Sequence, residues 1–337
     1  MSASYERAER RGLLWLILNV RETGIFLFII VLVIVVSLRS PYFLTVENFR
    51  DILLDIAALS IVSIGQTMVI LTRGIDLSVG SGLAFSGMVV GMAVSTYQWM
   101  PPLLALVMGM GIGLILGSFN GLMVTKGRVP PIIATLGTLS IYRGLTFAVS
   151  GGAWVDAAEL PASFKALARN DILGIPNLVL FAAAVAVIAF YFLNHTRLGR
   201  EIYAVGSNPT AAKVVGIQVN RIHLLVFMLS GLLYGMAGVL WVSRYASAQS
   251  DSATGFELQT VAASVVGGVN IFGGSGTIPG VLLGSLLLGI IINALNLVRI
   301  SPFWKLAVQG LVILLAVVTD ALISRRLQRA LTVRRGV

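Results

Sequence analysis

Ten apolar runs, each 16–23 residues long and separated mostly by short basic segments, constrain this chain more than any other feature. They lie at about 23–38, 53–71, 79–96, 102–124, 130–149, 177–194, 222–243, 256–271, 277–297 and 303–322. A helix of roughly 20 apolar residues crosses the hydrocarbon core of a bilayer. Only 11% of the residues are charged, against about a quarter in a soluble domain. The expected fold class is therefore all-α: a polytopic membrane helix bundle with about ten transmembrane helices. One transmembrane domain fills residues 1–337, leaving no room for a soluble domain of ordinary size.

An even number of spans places both termini on one side. With that topology 16 of the 24 basic residues fall on the side of the tails, seven fall opposite, and Arg143 lies inside a span. Short loops rich in Lys and Arg stay in the cytoplasm, so both termini, tails 1–22 and 323–337, are expected to be cytoplasmic. The net charge of +10 is thus an orientation signal and not a nucleic-acid footprint. Glu6 and Glu9 among the N-terminal arginines, with no small-residue cleavage site after the first run, argue against a cleavable signal peptide.

Several chemistries are excluded. The chain has no cysteine, hence no disulfide, thiolate metal site or cysteine nucleophile. His195 and His223 have no metal-ligand spacing around them. The glycine-rich stretch 267–276 lacks the Gly-Lys-Ser/Thr ending of a phosphate-binding loop, so ATP hydrolysis is not expected on this chain. No serine–histidine–acid set and no intramembrane carboxylate pair is apparent, and no catalytic residue, metal or cofactor is expected here.

Thr72 to Ser81 holds Arg73, Gly74, Asp76, Ser78 and Gly80 in a break between two apolar runs. Ionisable groups beside spans are costly unless paired or wetted, and they mark pathways, pivots or interfaces. Arg73 and Asp76 could pair as a structural pin, or each could have a separate role. Neutral polar residues inside the spans, Gln66, Asn120, Thr135, Thr138 and Asn293 among them, suit a path for an uncharged polar solute. Each could equally bond a neighbouring helix.

Two loops are long. The first, 150–176, holds Trp154, Asp156, Glu159 and Lys165; the second, 195–223, is basic. In the second, Asn208 can cap a helix, Pro209 suits its first position, and Gly216 can end it in the left-handed region. Two turns over 209–215 would lie on the membrane face as a lipid-surface element or a handle for a soluble partner. Modest polarity and the lack of large apolar anchors favour the partner. Within the spans, Gly109, Gly113, Gly117 and Gly121 form a groove for close helix approach, as do Gly231 with Gly235 and Gly280 with Gly284. Gly80-Ser81-Gly82 and Gly274-Ser275-Gly276 are a weak internal echo, of the kind seen where two halves of a transport core are related.

Thr72–Ser81 resembles a hallmark of the permease subunits of sugar ABC importers of the ribose, xylose, galactose, rhamnose and autoinducer-2 type. Phe119-Asn120-Gly121, Ala134–Gly144, Gly199-Arg200, Ala204–Ala212, Gly216-Ile217, Gly267-Gly268 and Gly273–Thr277 match the same family in order. The resemblance covers about 23–322. It implies a multi-pass protein of the bacterial inner membrane that translocates a small neutral sugar. A separate ATPase would bind ATP and Mg, and a periplasmic substrate-binding protein would deliver the cargo. A second permease would complete the channel, as a heterodimer first or a homodimer. It further implies that 195–223 is the ATPase-coupling loop, carried by Arg200, Gly206, Asn208, Pro209, Ala211, Ala212 and Gly216, and that the Arg73/Asp76 break moves or anchors during transport. Ala134–Gly144 with Ser150–Val155 and Leu160-Pro161 is closer to rhamnose and autoinducer-2 permeases than to ribose ones. The alternative is a stand-alone secondary carrier or channel, motivated by Arg73, Asp76 and Arg143. A non-transporting scaffold, motivated by the glycine grooves, is the third reading.

Overall fold

The structure, a computed structural model, describes residues 21–298 and isolated positions between 304 and 318. The expected span 303–322 and the two tails fall largely outside the described residues. Twelve helices are described. They are α1 (Arg21–Arg39), α2 (Val46–Leu71), α3 (Val79–Thr96), α4 (Pro102–Thr125), α5 (Pro131–Ser150), α6 (Ala162–Arg169), α7 (Asn177–His195), α8 (Arg197–Ser207), α9 (Pro209–Val214), α10 (Val219–Tyr245), α11 (Phe256–Val266) and α12 (Ile278–Leu297). A two-residue hairpin, β1 (Asp171–Ile172) with β2 (Ile175–Pro176), follows α6. Among the described residues, α2, α3, α4, α5, α7, α10 and α12 are long and apolar enough to cross a membrane. The expected span 256–271 is helical only over α11, which has 11 residues.

The centre of the bundle is α2. From Ala57 to Leu71 every side chain is buried, the pattern of a helix that is apolar all round and surrounded by protein. Beside it, α4 and α10 pack through glycine. A Cβ at Gly113 would strike the Gly231 carbonyl and the Gly235 backbone, and one at Gly117 would strike Phe227 and Gly231. The two grooves expected from sequence therefore receive each other, backbone on backbone. Gly280 and Gly284 of α12 meet Gly267 and Ala263 at the end of α11 in the same way. By contrast α5 is exposed along most of its length, with Ile132, Ile133, Leu136 and Ile141 at its surface.

The bundle has two distinct ends. At one, Arg50 grips Asp171 with both guanidinium nitrogens at 2.7 Å, and Arg244 bonds Asp55 at 2.5 Å. Here α6 is held by Ser243, whose hydroxyl donates to the Phe164 carbonyl and accepts from the Ala168 N–H. At the other end lie Leu71, the break, α8 and α9.

Candidate coupling site and membrane break

Where α2 ends, the N–H of Arg73 bonds the Ile70 carbonyl at 2.8 Å and that of Gly74 bonds Val69 at 3.0 Å. This is the Schellman pattern, with Arg73 in the left-handed position (φ 69°) that glycine ordinarily takes. A left-handed arginine costs on the order of 1–2 kcal/mol, and its side chain supplies the compensation. Nε donates to the Gly206 carbonyl at 2.6 Å and an Nη to that of Ser207 at 2.7 Å. Arg73 therefore caps the last turn of α8, where the carbonyls lack helical partners. Charge-assisted bonds of this kind contribute about 1.5–3 kcal/mol each.

Asp76 faces the other way. Its Oδ1 accepts from the Ser78 N–H at 3.0 Å and the Ser78 hydroxyl at 2.6 Å, opening α3. Arg73 and Asp76 do not pair. The aspartate is fully buried, lies in the loop between the two spans, and its Oδ2 has no hydrogen-bond partner. Burial pushes its carboxyl up to about 6, against the Ser78, Ser230 and Asn120 hydrogen-bonding groups, which pull it down.

Most of the polar residues noted in the spans collect around this break. The Gln66 amide, oriented to satisfy both groups, donates to the Asp76 carbonyl (3.1 Å) and accepts from its N–H (3.2 Å). Asn120 donates to the Ser78 hydroxyl at 2.8 Å, and Tyr142 donates to the Leu116 carbonyl and to Asn120. Thr135 donates to the Ile75 carbonyl at 3.0 Å, and Thr138 bonds the Thr135 carbonyl. Asn293 is elsewhere, on Asn48 near the start of α2. All five of Gln66, Asn120, Thr135, Thr138 and Asn293 are buried within the chain. Gly80 is fixed by close approach: a Cβ there would meet the Ala253 carbonyl and the Glu257 carboxylate.

The segment facing Arg73 is two short capped helices. Thr196 caps α8, whose buried face is Gly199, Ile202, Val205 and Gly206, while Arg197 and Arg200 are exposed. Gly206 has no room for a side chain, because a Cβ would collide with the Leu71 carbonyl. The adjoining glycine loop closes on the same point, with the Gly274 N–H on Leu71 at 3.0 Å and Tyr203 donating to Gly276 at 2.8 Å. Asn208 Oδ1 accepts from Thr210 (3.1 Å) and Ala211 (3.0 Å), Pro209 opens α9, Ala212 is buried beneath it, and Gly216 follows at φ 86°. The cap, first position and terminator are those expected from sequence. The surface of α9 is more apolar than expected, since Val214 and Val215 are 83% and 74% exposed. Sequence reasoning did not assign α8. Its signal was available in Thr196 followed by a basic, amphipathic stretch.

Residues 48–317 match the family described as the permease component of branched-chain amino acid transport systems. The chain belongs to this permease family. The permease is 41% identical over 301 residues to the ribose import permease of Bacillus subtilis (strain 168), covering 89% of this chain and 92% of the relative. It is 41% identical over 298 residues to the ribose import permease of Escherichia coli (strain K12), covering 87% and 91%. An autoinducer 2 import system permease of Enterobacter sp. (strain 638) is 35% identical over 316 residues, covering 94% and 90%. No solved structure matches the permease. With seven long apolar helices among the described residues, the permease is a multi-pass inner-membrane protein.

Proposed function

We propose that this chain is the transmembrane subunit of an ATP-binding-cassette importer that carries a small neutral sugar inward. The observation that carries the reading is the Arg73 grip on Gly206 and Ser207. It ties the break between two spans to a capped surface helix, so a pull on α8 and α9 acts directly on the bundle. In this reading α9 seats in a groove of a separate ATPase, with Val214 and Val215 as its apolar tip. ATP and Mg stay on that subunit. The excess of basic residues then puts α8, α9 and both tails in the cytoplasm, and a periplasmic binding protein meets the opposite end, where α6 and the hairpin lie.

Higher identity to the ribose permeases than to the autoinducer 2 permease runs against the order expected from 134–161 and supports a ribose-like pentose as first cargo. An autoinducer-2-like sugar comes second, and a rhamnose-like cargo rests on 134–161 alone. A second permease completes the channel, as a heterodimer with a related permease or as a homodimer. Gln66, Asn120, Thr135 and Thr138 serve the path as the collar of the break, and Arg73, Gly74, Asp76, Ser78 and Gly80 form its pivot. Replacing Asn208–Ala212 with a Gly/Ser stretch tests the reading. Uptake of tritiated ribose should be lost while membrane insertion persists; undiminished uptake would overturn it.

A further inference from the structure

The connection from α10 to α11 runs back along α3, a helix long and apolar enough to cross a membrane. Ala248 lies against Gly91 of α3, and the Ala253 carbonyl lies against Gly80. Those two glycines are about 16 Å apart along the helix, at 1.5 Å per residue. Residues 246–255 descend beside a membrane-crossing helix in turns and not as helix. Arg143, inside α5, braces this irregular backbone by donating one Nη to the carbonyls of Ser250 (2.7 Å) and Ser252 (2.8 Å).

The outward side of the segment is polar. Asp251 and Thr254 are exposed, and Glu257 and Arg143 are partly exposed. Both carboxylates lie near Arg143, yet neither forms an ion pair with it. Irregular backbone at membrane depth is tolerated only where it is buried in protein or lines a water-filled cavity. A charged side chain facing acyl chains costs several kcal/mol. Burying an unpaired carboxylate in a dry subunit interface is costly as well.

We propose that Asp251, Thr254 and Glu257, with Arg143 behind them, line the translocation path and contact the permeating solute. Two carboxylates and one hydroxyl offer hydrogen-bond acceptors for the vicinal hydroxyls of a polyol. Two negative groups against one guanidinium leave the surface net negative, so it admits neutral sugars and repels anionic ones such as sugar phosphates. This inference rests on the permease reading above.

The chain has no cysteine, so single thiols can be placed without background. Asp251→Cys, Thr254→Cys and the apolar-face control Ile133→Cys are assembled with the complete importer. They are then treated with a membrane-impermeant sulfonated methanethiosulfonate. Labelling needs a hydrated thiolate, so both path positions should react on the order of tenfold faster than Ile133→Cys. Labelled Thr254→Cys should lose uptake of tritiated ribose. Reaction only with a lipophilic maleimide would overturn the proposal, as would cross-linking to a neighbouring subunit with no reaction from water. If Asp251→Cys fails to insert, Thr254→Cys decides alone. Labelling is independent of what drives transport. Uptake without an ATPase would therefore remove the importer reading and leave this one standing.

Discussion

Arg73 holds the carbonyl oxygen of Gly206 at 2.6 Å across 133 residues of sequence. The bond joins the end of the most buried helix to the end of a surface helix, and it needs three features at once. Arg73 must take the left-handed turn, Gly206 must lack a side chain, and α8 must end there.

Arg73→Lys should cut uptake at least about tenfold with insertion unchanged, because a single ammonium cannot reproduce a fork spanning two carbonyls. Arg73→Gly relaxes the backbone but removes both bonds, and should be equally impaired. Uptake assays, with the amount of co-purifying ATPase, check both. Near-normal uptake by Arg73→Lys would show that the geometry of the fork is irrelevant.

Gly206→Ala should uncouple the molecule, since the added methyl collides with the Leu71 carbonyl and lifts α8 off α2. Gly216→Ala meets no neighbouring atom and suffers only its left-handed φ, costing on the order of 1–2 kcal/mol. Uptake measured side by side should separate the two by a wide margin.

Gly113→Leu should abolish stable assembly, because α4 and α10 touch backbone to backbone there. Gly111→Leu, on the same helix with nothing within 4 Å of its Cβ, should be tolerated. The yield of folded protein in mild detergent, followed by size-exclusion chromatography, reads the contrast.

Asp76 gives a pH signature. Its folded-state carboxyl titrates near 6, above the ordinary 3.8, so the ionised form is the costly one inside the fold. That cost is fully present above about 6 and is relieved as the pH falls through it. Asp76→Asn should melt higher than the parent at about pH 7.5, and the gap should narrow by about pH 5. A gap that widens on acidification would refute this.

The parts of the fold readable in sequence are those whose cause is local. The bounds of α3 follow from a run of small and apolar residues between Ser78 and Tyr97. The start of α9 follows from Asn208 and Pro209, and its end from Gly216. The family motifs pointed to the permease family before any contact was known. Other features depend on partners far away in the chain. Gln66, Asn120 and Thr135 have the same composition whether they line a channel or clamp a loop, and only the meeting of α2, α4 and α5 shows that they converge on residues 75–78. The relation of Arg73 to Asp76 was open for a similar reason. The left-handed turn at Arg73 sends its side chain to α8, which lies more than 120 residues later in the chain. The polar segment 247–255 reads as an ordinary loop until Gly80 and Gly91 place it along a span.

The glycine seam between α4 and α10 limits how such a molecule can move. Interlocked side chains can change rotamer and let two helices slip past each other, but bare backbones pressed together have no such bearing surface. These two helices must travel as one plank. On the importer reading proposed above, motion in the bundle is left to tilting, with the collar around Asp76 as the fulcrum and α8 as the short arm of the lever.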